Sequence, residues 1–72
     1  MIINFEQSLD DELIIFMDNE GIDKMIDYLS VLKTPTETHY HLMTESWGGT
    51  ELTEFQYVNN ATLINQVRLQ KI

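Results

Sequence analysis

Leu13-Ile14-Ile15-Phe16-Met17 is a run of five apolar residues, bounded by Asp10-Asp11-Glu12 on one side and Asp18-Asn19-Glu20 on the other. It is short and rich in β-branched and aromatic residues, so Glu12 to Asp18 reads as a strand. A strand with one wet face alternates apolar and polar residues. This one does not, so it reads as a central strand, or as one whose second face is covered. The rest of the chain offers little to cover it. There are 72 residues and no cysteine, which allows one domain with no disulfide and no thiolate metal site. Surface scaling gives roughly 4,600 Å² for the folded chain against about 12,300 Å² unfolded. About 60% is then buried, enough for one thin core and no large cavity.

The other elements follow from periodicity and punctuation. Ile2 to Glu6 alternates as a short strand, with Ile3 and Phe5 on one face. Gln7 to Asp11 is a polar turn. Asp18 or Asn19 caps a helix running to about Lys33. Its apolar stripe is Ile22, Met25, Ile26, Leu29 and Leu32, and Gly21 near its start is a tolerable cost. Thr34-Pro35-Thr36 ends it, because the residue before proline avoids the helical region. Glu37 to Thr44 alternates as a strand, with Tyr40 and Leu42 opposite His39, His41 and Met43. Ser46-Trp47-Gly48-Gly49-Thr50 is a turn. Leu52 to Val58 is readable as a strand or as an ordered loop, with the loop preferred. Asn59-Asn60 is a turn, and Leu63 to Ile72 is a final strand with Leu63, Val67 and Leu69 inward. The order β-β-α-β-β predicts an α+β, two-layer fold: an antiparallel sheet of about four strands with the helix on one face. The far face must then be polar, or covered by the long loop, or covered by a second subunit.

Twelve acids against four bases give a formal net charge of −8. Such a chain repels the phosphates of nucleic acid and an anionic membrane surface, and suits a basic protein partner. No stretch reaches the length of a membrane span. The segment from Met1 to Glu6 lacks the basic region of a secretory leader, so a cytoplasmic location is expected.

Few residues suggest chemistry. His39 and His41 lie two apart on one strand face, with Glu37 as a conceivable third metal ligand. Without a fourth, the set is a loose match to metal-site spacings, so no metal and no cofactor is expected. No nucleophile motif is present and there is no room for a deep pocket, so an enzyme is not expected. Ser46-Trp47-Gly48-Gly49 lacks the lysine and spacing of a phosphate loop. Trp47 either folds back onto the core or stands at the surface as a binding anchor. Glu45, Glu51 and Glu54 flank it, either as solvated charge or as an acidic rim facing a basic partner. The candidate partner-binding residues are Trp47, Glu45, Glu51, Glu54, His39 and His41.

The stretch His39-Tyr40-His41-Leu42-Met43-Thr44-Glu45-Ser46-Trp47-Gly48-Gly49-Thr50-Glu51-Leu52-Thr53, followed by Leu63-Ile64-Asn65-Gln66-Val67-Arg68-Leu69, resembles the immunity protein 32 family of bacterial polymorphic toxin systems. The resemblance spans Thr38 to Leu69, somewhat under half of the chain. Glu45 stands where that family often has proline, and Thr50 where asparagine or aspartate is common. The resemblance implies a small cytoplasmic protein that binds a cognate toxin and protects the producing cell. It carries over His39, His41, Trp47, Gly48, Gly49 and Glu51 as motif positions, none of them catalytic. The acidic charge would suit a basic toxin such as a nuclease. The competing reading is a small homodimeric adaptor or structural domain whose apolar second sheet face is the dimer interface.

Overall fold

Two short apolar segments joined by a polar turn fold into a hairpin over the first seventeen residues. In the computed structural model, which describes all 72 residues, β1 (Ile3–Gln7) pairs antiparallel with β2 (Leu13–Met17), Phe5 facing Ile15 across the ladder. The intervening turn is closed by Ser8. Its Oγ accepts from the backbone N–H groups of Asp10 and Glu12, and Asp11 takes a left-handed conformation. Short polar side chains stabilise such turns by bonding nearby backbone.

α1 (Asn19–Leu32) starts immediately after β2. Asp18 caps it: Oδ1 accepts from the backbone N–H of Gly21 at 2.7 Å and from that of Ile2 at 3.0 Å. One carboxylate thus fixes the helix start and ties it to the chain entering β1. Gly21 is more than tolerated there. A Cβ at this position would lie 1.9 Å from the Ile2 carbonyl oxygen, so only glycine lets the helix approach β1.

The helix buries a different stripe from the one its leucines and isoleucines suggest. Gly21, Met25, Tyr28 and Leu32, spaced four, three and four, turn inward. The expectation for Ile22, Ile26 and Leu29 is corrected: all three are exposed. The close approach at Gly21 sets the rotation of the helix. Tyr28 then stacks on Tyr40 with ring centroids 5.1 Å apart.

The remaining strands are β3 (His39–Met43), β4 (Thr62–Leu63) and β5 (Gln66–Gln70). A short 3-10 turn, Glu45–Trp47, follows β3, and 52–58 is a loop. The α+β class holds, with five strands in two antiparallel sheets instead of one sheet of about four: β2-β1-β4 and β3-β5. The expected last strand is broken at Ile64 and Asn65. Asn65 accepts from both the backbone and the hydroxyl of Thr44, which diverts the chain from β1 to β3. The core is thin. Ile3, Phe5, Leu42 and Leu52 form it, bordered by Met25, Tyr28, Tyr40, Ile64, Val67 and Leu69. The accessible surface is 5056 Å², above the roughly 4,600 Å² expected for this mass, because the molecule is elongated, 40 × 24 × 22 Å.

The apolar run of β2 does not mark a central strand. β2 is the edge of its sheet. On one face Ile14 and Phe16 are half-buried beneath the 53–58 loop, where Phe16 meets Tyr57 with ring centroids 4.7 Å apart. On the other, Leu13, Ile15 and Met17 are exposed. β1 holds the loop down with two polar residues that are fully buried, Asn4 and Glu6. Asn4 Nδ2 donates to the carbonyls of Thr53 and Phe55, at 3.3 and 2.7 Å. The Glu6 carboxylate accepts from the backbone N–H groups of Tyr57 and Val58, at 2.8 and 3.0 Å.

A candidate partner-binding surface

The turn that carries Trp47 is pinned from beneath by hydrogen bonds. Thr44, fully buried, accepts through its carbonyl from the N–H groups of Trp47 and Gly49, both at 3.0 Å. Gly48 takes φ 92°, a left-handed conformation that glycine adopts without strain, and its N–H closes the turn on the Glu45 carbonyl at 2.9 Å. Two of the three flanking carboxylates are built into this scaffold. Glu51 Oε1 accepts from the Met43 N–H at 3.1 Å. Glu54 Oε1 accepts from the Ser46 N–H at 2.6 Å. Hydrogen bonds from the Ser46 hydroxyl and backbone hold the Glu54 carboxyl below its ordinary pKa. Glu45 is exposed on the turn itself.

Trp47 does not fold back onto the core. It is 56% exposed. The Ser46–Glu54 bond joins its turn to the loop whose next residues include Phe55, 69% exposed, and Tyr57, 41% exposed. Those two rings pack edge to face, with centroids 4.9 Å apart. Neither aromatic stands out in the sequence, where alternation through 52–58 only places them on one side of a conceivable strand. Asn4 and Glu6 grip the loop by its backbone, which leaves Phe55 facing outward and sets Tyr57 between Phe55 and Phe16.

His39 and His41 project from the outer face of β3, which leads into the turn. Their rings are 5.0 Å apart. His41 lines a shallow depression of ≈ 270 Å³ with Gln66 and Arg68. No group of three or more His, Cys, Asp or Glu side chains is arranged to hold a metal ion. A second depression of ≈ 200 Å³ is lined by Ile2, Phe16, Met17, Asp18 and Tyr57. Both are below the roughly 300–1,000 Å³ typical of small-molecule sites. The structure thus puts Trp47 and Glu45 on one pinned turn, ties Glu54 of the following loop to it through Ser46, holds Glu51 half-buried on the Met43 amide, and leaves the two histidines on the adjoining strand.

Comparison of the chain with family models, curated proteins and solved structures finds no match.

Proposed function

We propose that this protein is an immunity protein, which binds and neutralises a cognate bacterial toxin through a protein–protein interface centred on the Trp47 turn. The observation that carries this reading is a half-exposed tryptophan on a hydrogen-bonded platform. A turn whose backbone is already fixed needs little further ordering on docking, and tryptophan is enriched among residues that dominate binding energy. Phe55 and Tyr57 add exposed aromatic area on the loop that the Ser46–Glu54 bond joins to the turn, and Glu45 and Glu54 add negative charge at that junction. An inhibitor needs such a complementary surface and no catalytic centre. A standard interface takes about 800 Å² from each partner, about a sixth of the 5056 Å² available. The charge of −8 favours a basic toxin, such as a nuclease that must attract phosphate. No helix is long and apolar enough to cross a membrane, and the proposed site of action is the cytoplasm of the producing cell.

The test is protection from a toxin-like open reading frame encoded beside this chain. Inducing that frame alone should arrest growth, and co-expressing this protein should restore it, with the two proteins purifying as a complex. Growth arrest unrelieved by co-expression, with no complex at micromolar concentration, would overturn the proposal.

A further inference from the structure

The outer edge of β2 is open, and its geometry says which backbone groups are free. In an antiparallel strand the N–H and C=O of one residue point to the same side, and successive residues alternate sides. The carbonyls of Ile3 and Phe5 accept from Thr53 and Ile64, on the side of β1 away from β2. Asn4 and Glu6 therefore aim at β2, where their partners are Phe16 and Ile14. It follows that Leu13, Ile15 and Met17 direct their N–H and C=O groups outward from the sheet. The same three residues expose their side chains, at 52%, 41% and 37%. No proline or lysine blocks this edge, and an unblocked edge is a template for another strand.

Charge selects the occupant. The first base in the chain is Lys24, and six acids other than the buried Glu6 precede it. Asp10, Asp11 and Glu12 stand at one end of β2 with no cation paired to them; Asp18 and Glu20 stand at the other, sharing the single Met1 ammonium at 3.8 and 2.9 Å, so that end keeps a smaller net negative charge. A second copy of this chain is a poor fit. The antiparallel two-fold register that pairs all three outward residues sets Leu13 opposite Met17 and Ile15 opposite itself. It also sets Glu12 opposite Asp18 of the second copy, twice by symmetry, and like charges directly opposite are destabilising. We infer that β2 is a docking edge for an extended segment of a partner protein, alternating apolar residues between basic ends, which adds as a fourth strand to the β2-β1-β4 sheet. Its apolar residues lie beside Leu13, Ile15 and Met17, and its Lys or Arg residues meet the acids at each end. This inference stands independently of the toxin reading and would hold for any partner with such a segment.

The test titrates the peptide Lys-Lys-Val-Thr-Val-Thr-Val-Lys-Lys into the full chain, with amide shifts and hydrogen exchange read residue by residue. The edge reading predicts shifts centred on Leu13–Met17 and slowed exchange at the outward amides of Leu13, Ile15 and Met17. The counterpart with glutamate ends should bind at least about tenfold more weakly, a difference of about 1.4 kcal/mol. Ile15→Pro removes an outward N–H without touching the ladder to β1 and should abolish binding, while Trp47→Ala should bind as the unaltered protein does. If Ile15→Pro unfolds the domain, methylating the peptide's own edge-facing N–H groups makes the same test from the other side and should abolish binding. Shifts centred elsewhere, equal binding of the acidic peptide, undiminished binding of the methylated peptide, or sedimentation showing that the chain dimerises through β2 would each overturn the inference. The titration contains no toxin, so its failure leaves the proposed function standing.

Discussion

Glu6→Gln tests the device that closes the outer face of the sheet. Glu6 is fully buried, and its two oxygens accept from consecutive backbone donors of the covering loop, Tyr57 at 2.8 Å and Val58 at 3.0 Å. Glutamine has nearly the same shape, but only one of its terminal atoms accepts. One N–H keeps a neutral partner and the other confronts an NH₂ group. Hydrogen bonds to a charged group contribute about 1.5–3 kcal/mol each, and a neutral one about 0.5–1.5. Two of the first kind are exchanged for one of the second, partly offset by the smaller desolvation of a neutral amide. The expected net loss is about 2–4 kcal/mol. A domain of this size has a total stability of about 4–11 kcal/mol, so the loss is a large share. With a urea slope of about 1 kcal/mol/M, the unfolding midpoint should fall by about 2 M or more. Amide exchange of Tyr57 and Val58 should accelerate more than that of Phe5 or Leu42. A midpoint loss worth less than about 0.5 kcal/mol, with exchange of those two amides unchanged, would refute the assignment of Glu6 as the loop's anchor.

Two further predictions follow from the helix start and the carboxylates. Gly21→Ala should destabilise by about 2 kcal/mol, although alanine favours helix, because its Cβ would meet the Ile2 carbonyl oxygen at 1.9 Å; calorimetry should show Tm lower by about 8–16 °C, and an unchanged or raised Tm would contradict the close approach. Backbone hydrogen bonds from Ile2 and Gly21 hold the Asp18 carboxyl below its usual value of 3.8, and the Ser46 hydrogen bonds hold Glu54 below 4.5; each stabilises the fold above those unfolded values and loses that contribution as pH falls through its lower folded pKa. Urea midpoints should therefore be flat from pH 7 to 5 and drop below about pH 4, with a shallower drop in Asp18→Asn/Glu54→Gln.

The class of fold is legible in the sequence because strand alternation and the helix stop at Pro35 are local signals. The faces of β3 and β5 are likewise legible from period-two patterning, and Ile3, Phe5 and Leu42 do form the core. What escapes is set by long-range contacts. The helix rotates to present Gly21 and Tyr28 because of the Ile2 carbonyl just before β1, which hydropathy alone cannot register, so Ile22, Ile26 and Leu29 are misread as buried. Asn4 and Glu6 look like the wet face of a strand, yet they are fully buried, because their partners lie about fifty residues away. The uniform run of β2 resembles a central strand because hydropathy cannot distinguish a covered face from an open one. For the site, Trp47 and its acids stand out by residue type and local clustering, whereas whether Trp47 faces core or solvent depends on the hydrogen bonds that pin its turn. The exposure of Phe55 and Tyr57 likewise depends on the grip of Asn4 and Glu6 on the loop backbone.

The central proposal is that Trp47 serves as a toxin-binding anchor and does not hold the fold. The most direct measurement compares the affinity of the unaltered protein and of Trp47→Ala for the proposed toxin, taken as the product of a toxin-like frame beside its gene, with urea unfolding of each protein alone. Because Trp47 is 56% exposed, the account predicts an unfolding free energy within about 0.5 kcal/mol of the original. It also predicts a Kd raised about 30-fold or more, the signature of an anchor whose loss costs about 2 kcal/mol or more. Unchanged affinity, or a loss of affinity that tracks an equal loss of stability, would contradict it.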